Sequence, residues 1–478
     1  MAESHECDFK HEVDALRVLV DELRAELAGA RAEIAELKAR LGENSSNSSR
    51  PPSSDGYGKP TCLQRDPGER KAGKQKGTPG SHLAQVPNPD AVVVHVPDQC
   101  GSCHRGLDGA EVESTETRQV FDIPPMRISV TEYQAQSRRC RCGALTTAAF
   151  PDDVNAPALY GTRLQALATY LIVFQHIPYD RARQLFSDVL GVELSTGTIN
   201  TAVAQGALLL EDFVSEVREQ LRGSDIVHVD ETGARVAGKL HWVHVASTDQ
   251  LTAYLVHEKR GGAAIDAMGV LPRQDDNGVL GWDFDGVAVH DGWKPYRNYD
   301  VTHALCNAHH LRELAAAGEV WDQGWANDLV GLLVDAKDKV ETARQVGSAQ
   351  LDAGVLHGLR CRYGYLIAQG RAVNQRRPGR KQSKTFNLLE RLDAQRDDVL
   401  RFTVDFGVPF DNNQGERDIR MVKLQQKISG CWRTFEGAER YLLIRSYIST
   451  ARKQGHNALD VLCRLIEGDP WMPARAGP

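Results

Sequence analysis

Three acidic residues far apart in the chain carry the most specific chemistry in the sequence: Asp230, Asp291 and Glu416. Asp230 follows the alternating run Ile226-Val227-His228-Val229, which predicts a strand ending in Asp230-Glu231-Thr232. Asp291 closes a second such run, Gly286 to His290. Glu416 lies in Asp411-Asn412-Asn413-Gln414-Gly415-Glu416-Arg417, where Asp411 is placed to cap a helix and Arg420 falls one turn beyond the acid. Phosphodiester chemistry without a nucleophilic side chain needs an activated water or hydroxyl and a stabilised leaving oxygen. Two hard cations about 4 Å apart supply both, and oxygen ligands suit Mg2+ or Mn2+. Carboxylates gathered without cations repel and resist ionising together, so convergence of the three implies metal. Acids ahead of helices also serve as caps, and spacing alone does not choose between a cap and a third ligand. Asp225, Glu231, Asp283 and Asp285 lie nearby as bystanders, Glu231 being expected on the opposite face of its strand from Asp230.

The elements that must position these acids begin after Gly223. Two strand-like runs, Leu240 to Ala246 and Thr252 to His257, follow the first, then a small-residue helix near Gly262 to Met268 and the strand that ends at Asp291. Three consecutive strands, a helix and another strand is the order of a ribonuclease-H-like core, predicted over 223–307 and completed by 406–455. Residues 308–405 between them are helical and charged, an insertion in that core. Its stretch Arg371 to Lys384 contains Arg376, Arg377, Arg380 and Lys381 and no acid. It reads either as a grip on DNA backbone or as a solvated loop. Cys306-x-x-His309 at the start of the insertion is read as a local clip, a DNA contact, or a buried thiol beside a helix-start histidine. Trp293, Tyr296 and Trp432 are candidates for stacking on bases or for core. Residues 456–478 form a tail.

Upstream, 1–43 reads as a parallel coiled coil. Val13, Val20, Leu27, Ile34 and Leu41 repeat every seven residues, as do Phe9, Leu16, Leu23, Ala30 and Leu37. Glu26 and Glu33 would face Arg31 and Lys38 of a partner helix, which favours a homodimer. A basic, Ser/Pro/Gly-rich linker spans 44–90. Residues 91–150 pair β-like runs (Ala91 to Val96, Ile128 to Gln134) with Cys100-x-x-Cys103 and Cys140-x-Cys142, a zinc-ribbon-like set of four thiolates for structural Zn2+. Residues 151–222 predict helices, the third a long one capped by Ser195, in a helix-turn-helix-like arrangement. Thr196, Thr198 and Asn200 at its start are candidates for base edges in a DNA major groove; a purely structural helical domain reads equally well.

The chain has 478 residues, 41% hydrophobic and 25% charged, with net charge −7. That length favours several domains, and the charge argues against a protein wrapped all over in nucleic acid. The polar start and the absence of a long apolar run predict a cytoplasmic protein, in which ten cysteines are more consistent with metal than with disulfides. The whole reads as a multidomain α/β chain.

The segments HVDETGARVAGKLHWVHV, HDGWKPY, CNAHHLREL and PFDNNQGERDIR, with the N-terminal heptads, the NSSNSSRPPSSDG linker and the cysteine pairs in order, resemble transposases of the family named after insertion sequence sixty-six. The resemblance covers nearly the whole chain, although Cys140-x-Cys142 is tighter than that family's usual second pair. It implies a DDE-type transposase whose two-metal triad falls on Asp230, Asp291 and Glu416, which cuts transposon ends and joins them to target DNA. Small accessory proteins of the same element are further implied partners. Two other readings fit the residues: a ribonuclease-H-like nuclease that only hydrolyses, and a dimeric DNA-binding protein with a dead core.

Overall fold

A computed structural model of the chain describes residues 83–124, 126, 128–273, 281–379 and 381–475, with part of 16–37. Most of the heptad segment lies outside the described residues, as do the linker basics Arg70, Lys71, Lys74 and Lys76. Those heptad positions that are described (Leu16, Val20, Leu23, Leu27, Ala30, Ile34 and Leu37) are helical and exposed. Among the described residues no helix is long and apolar enough to cross a membrane.

The cysteine-bearing segment holds one small hairpin, β1 (Ser137–Arg139) antiparallel to β2 (Leu145–Thr147). The strands expected at Ala91 to Val96 and Ile128 to Gln134 do not form; Val92, Val93 and Val94 stay exposed. A strand needs a neighbouring ladder for its backbone, and none is offered there among the described residues.

Four helices follow. The first, α1 (Thr162–Thr169), continues through a π-turn at Tyr170–Phe174; then come α2 (Tyr179–Leu190), α3 (Thr196–Leu208) and α4 (Glu211–Arg222). Gly191 ends α2 at φ 65°, its N–H on Ser187 O and that of Val192 on Phe186 O. Ser195 Oγ caps α3 by accepting the Thr198 N–H at 2.9 Å, as expected. The long third helix does not persist: it breaks at Leu209 and Leu210. There the fully buried Leu210 turns inward, and Glu211 and Asp212 supply the acidic first turn of a new helix.

The sheet comprises β3 (Ile226–Val236), β4 (Lys239–Ser247), β5 (Thr252–His257), β6 (Val287–His290) and β7 (Thr302–Leu305), with α5 (Gly262–Met268) before β6. Its order is β5-β4-β3-β6-β7, with β3, β4 and β5 antiparallel and β6 and β7 parallel to β3. The first strand runs further than expected. Beyond Asp230 it keeps pairing with β4 from Asp230↔Val245 to Val236↔Lys239, closing on Ala237-Gly238, both at positive φ as a tight hairpin turn requires. Asp230 is therefore in mid-strand rather than at a strand end.

The remaining helices are α6 (Asn307–Trp321), α7 (Gly324–Gln345), α8 (Ala353–Val373), α9 (Lys384–Ala394), α10 (Arg396–Val399), α11 (Asn413–Ser429), α12 (Phe435–Lys453) and α13 (Ala458–Ile466). Two hydrophobic masses form. One joins α1 to α4, Val227 and Val229 of β3, Ala288 of β6, Ile419 and Val422 of α11, and the helices α12 and α13. The other joins Val287, Val289, Ala304 and Leu305 of β6 and β7 to α6 through α10. Alternation along β6 thus sends successive residues into different cores. Helices 162–222 share their core with the sheet, and 458–466 is a packed helix rather than a bare tail.

The approach of β6 to β3 depends on Gly286. A Cβ there would meet Ser224 O at 2.3 Å and Asp225 O at 2.9 Å, both backbone atoms that cannot yield cheaply. Gly286→Ala should cost about 1–3 kcal/mol in denaturant unfolding, as overpacking does. Gly281→Ala, which meets nothing within 4 Å, should not measurably change stability.

Candidate metal centre

β3 and β6 set the first two acids side by side. Their parallel register ends at His228 with Val289; Asp230 lies two residues further along β3, and Asp291 two residues on, just past the end of β6. Asp230 Oδ1 accepts the Glu231 N–H at 2.8 Å, and Asp291 Oδ1 accepts the Trp293 N–H at 2.8 Å, with Gly292 at φ 85° making the turn. Neither carboxylate forms an ion pair among the described residues.

Glu416 comes from the first turn of α11, and one buried side chain seats that turn. Asn412, 1% exposed, donates through Nδ2 to Val229 O at 2.9 Å and accepts on Oδ1 from His228 Nδ1 at 2.7 Å. Both partners immediately precede Asp230 on β3. The Asn412 N–H donates in turn to Cys306 Sγ at 3.1 Å, and Asn307 N–H to Phe410 O at 3.1 Å, so the starts of α6 and α11 are bound together. Asp411 Oδ1 accepts the Asn413 N–H, near its expected capping role, although Asn412 is the N-cap residue. Glu416 Oε1 then lies 3.6 Å from His309 Nδ1, 3.8 Å from Arg312 Nη2 and 4.0 Å from Cys306 Sγ.

The acids feel one another. Burial, then repulsion by Glu231, Asp291 and Glu416, holds the Asp230 carboxyl well above its ordinary range. Burial also raises Glu416, with Asp411 and Asp291 adding and Arg312 and Arg420 opposing. The three residues singled out from sequence thus influence one another electrostatically, but among the described residues they do not form a ligand group: the one set of ligand atoms within 4.8 Å joins Glu416 to Cys306 and His309. Asp230 and Asp291 each accept one backbone N–H, and carboxylate oxygens are the donors that Mg2+ or Mn2+ prefers.

Glu231, expected as a bystander, is buried and structural. Arg260 binds its Oε1 at 2.6 Å and the Tyr296 hydroxyl donates to its Oε2 at 2.6 Å. The Arg260 guanidinium lies over the rings of Trp293 (4.1 Å) and Trp242 (4.8 Å). Tyr296 and Trp432 are core, at 2% and 8% exposure, which removes them as base-stacking candidates. Asp225, Asp283 and Asp285 join no metal-holding group among the described residues.

Cys306 and His309 are the residues whose proximity to Glu416 the sequence concealed. Burial pushes the Cys306 thiol up to about 12 and the His309 imidazole down to about 4. Their Cys-x-x-His spacing was visible; the carboxylate meeting them from 110 residues away was not.

The other candidate sites are placed as follows. Cys100 and Cys103 share one tight turn, and Cys140 and Cys142 another; backbone N–H groups aimed at Cys100 and Cys140 lower both thiols. Each turn thus presents a sulfur pair suited to Zn2+. The two pairs do not meet: among the described residues the one group of three or more ligand atoms within 4.8 Å is Cys306, His309 and Glu416. Thr196 and Asn200 are exposed at the start of α3, whereas Thr198 is half-buried with its hydroxyl 2.9 Å from Ser195 Oγ. Arg376, Arg377 and Lys381 are exposed on the loop between α8 and α9, which Gln382 ties through both the N–H and C=O of Arg377. Arg380 lies outside the described residues, and Arg371 is held by Glu390 and Asp393.

The chain is a mixed α/β protein, a five-stranded sheet with many helices. The family model described as Transposase IS66 family matches residues 157–440, and the chain belongs to that family. Membership makes it a transposase and implies that it binds DNA. Residues 97–143 match the zinc-finger binding domain of transposase IS66, which supports structural zinc there, and residues 5–84 match a family of unknown function. No curated protein matches the chain.

The raised Asp230 carboxyl gives a pH-dependent expectation. An acid raised in the folded state costs nothing while protonated, and its penalty grows as pH climbs above its ordinary unfolded value near 4. In protein kept free of divalent ions, Asp230→Asn should therefore raise the melting temperature at pH 8 by roughly 2–4 °C and leave it unchanged at pH 4. Mn2+ should raise the wild-type melting temperature more at pH 8 than at pH 6, because binding must displace protons, and this gain should vanish in the variant. Equal melting curves throughout would show that the cluster carries no repulsion.

Proposed function

We propose that the chain is a DDE-type DNA transposase with a ribonuclease-H-like core. It cuts phosphodiesters at transposon ends and joins the freed 3′-hydroxyls to target DNA. The observation that supports this reading is that, beyond burial, Asp291 and Glu416 raise the Asp230 carboxyl and Asp291 raises that of Glu416, across the 124 residues 292–415. The sheet order, with three antiparallel strands and two parallel to the first, supports the fold assignment.

In this reading Asp230, Asp291 and Glu416 would hold Mg2+ or Mn2+. When bound, the ions supply an activated water or hydroxyl and stabilise the leaving oxygen. The protein's part is placement. Asn412 fixes Glu416 against β3, the Asp291–Trp293 turn orients the second acid, and Arg312 steadies the Glu416 carboxylate. Arg376, Arg377 and Lys381, with Arg380 beside them in sequence, grip DNA backbone. Thr196 and Asn200 are placed for base edges, and Thr198 serves the helix cap. Cys100, Cys103, Cys140 and Cys142 hold structural Zn2+ once their two turns close on each other. The exposed heptad positions pair two subunits through the N-terminal helix, so that two transposon ends are handled together, with small accessory proteins as further partners.

Asp291→Asn or Glu416→Gln should abolish Mg2+-dependent nicking and joining of end-containing DNA while leaving gel-shift binding of those ends intact. Strand transfer surviving in either variant would defeat the mechanism; nicking by wild type without joined products would favour a nuclease. Replacing Arg376, Arg377 and Lys381 by Glu should lower the slope of log binding constant against log salt by about 2–3, since each phosphate contact contributes about 0.9. An unchanged slope would take this loop out of the DNA interface.

A further inference from the structure

Cys306, His309 and Glu416 form a donor set of a different kind from the carboxylates beside it. One sulfur, one imidazole nitrogen and one carboxylate oxygen lie within 4.8 Å of one another, from two elements locked together at their N-termini. The measured edges are 3.6 Å from His309 Nδ1 to Glu416 Oε1 and 4.0 Å from Cys306 Sγ to the same oxygen. Metal–ligand bonds of about 2.0–2.3 Å in a tetrahedron put donor atoms roughly 3.3–3.7 Å apart, close to the two edges at Glu416 Oε1, so the set would close around one ion by contracting. His309 Nδ1 is buried without a hydrogen-bond partner, and at 3.6 Å it is too far from Oε1 to make a good bond. Such an orphan is costly unless something satisfies it.

We infer that Cys306, His309 and Glu416 constitute a separate site for Zn2+ or another thiolate-preferring transition ion, and that its occupation withdraws Glu416 from the Asp230–Asp291 pair. Mixed sulfur, nitrogen and oxygen donors select zinc over Mg2+, whose oxygen preference leaves it to the aspartates. On binding, the Cys306 thiol loses its proton to solvent, and the Asn412 N–H already aimed at Sγ stabilises the resulting thiolate. Arg312, 3.8 Å from Oε1, is the cation that the ion would displace from the carboxylate. Three protein ligands leave a fourth position open to water. The binding half of this inference is independent of the proposed function; the inhibitory half rests on Glu416 serving the transposase reaction.

The test uses the full chain stripped of metal and titrated with Co2+, a coloured stand-in for zinc, and with Zn2+ alone. Wild type should bind one tetrahedral, thiolate-ligated cobalt beyond those held at Cys100, Cys103, Cys140 and Cys142. His309→Ala and Cys306→Ala should each weaken that extra site by at least about 100-fold without affecting the ions at 97–143. His309→Ala removes no hydrogen bond of the imidazole nitrogen concerned, so it guards against a Cys306 variant that fails to fold. Zn2+ should inhibit Mn2+-supported DNA nicking in wild type and lose that effect in His309→Ala. Identical cobalt spectra and stoichiometry in wild type and both variants would overturn the site. Binding without inhibition would overturn the withdrawal of Glu416. A chain that binds the extra ion yet never nicks DNA would count against the transposase reading and leave the site standing.

Discussion

Glu416 has to be held where electrostatics opposes it. The acid approaches a strand already carrying Asp230, with Asp291 alongside, and its helix arrives from the far side of a long helical insertion. What offsets the repulsion is a short set of directed bonds at Asn412, whose amide reaches the backbone and side chain of the two residues before Asp230 while its N–H meets Cys306. Buried bonds of this kind contribute about 1 kcal/mol each when made and cost more when one partner is stranded. The position of α11 therefore follows from Asn412 far more than from the acid it delivers.

That constraint explains the distribution of polar groups around the site. Glu231, a neighbour of Asp230 in sequence, is held by Arg260 and the Tyr296 hydroxyl, which offset part of its charge, yet it still raises the Asp230 carboxyl. Burial lowers the His228 imidazole on the same strand, and its Nδ1 donates to Asn412 Oδ1. Asp230 and Asp291 are left with a single backbone donor apiece, and the free energy of their crowding is available to whatever cation they receive.

Much of this was legible in the sequence, for identifiable reasons. The apolar runs gave β4, β5 and β6 nearly to the residue, because each is a paired ladder with turn residues at its ends. Periodicity said nothing about β7 (Thr302–Leu305), too short for a pattern, or about how far β3 would extend past Asp230, since that depends on β4 continuing to pair. The break between α3 and α4 was hidden because Leu210 keeps the helical period across it. Asp291 and Glu416 were visible as a strand end and a helix start, Asp230 was expected at a strand end and lies in mid-strand, and Asn412 looked like one more polar residue in a capping sequence. Its role arises from contacts spanning more than 180 positions, and no local signal encodes them. The isolated valines of 92–94 show the converse, a strand-like composition with no ladder to join.

Successive side chains of β6 enter opposite hydrophobic masses: Ala288 the one containing α12, Val287 and Val289 the one built by the insertion. Among the described residues the chain passes from the second mass back to the first between Phe410 and Ile419, the stretch that carries Glu416. The three candidate acids therefore lie near a seam between the two masses, with the four-residue β6 as the common wall. A slip of one slab against the other would alter the gap between the aspartates and the glutamate without unfolding either, so the assembly of this pocket is a property of how two bodies dock and not of any single element.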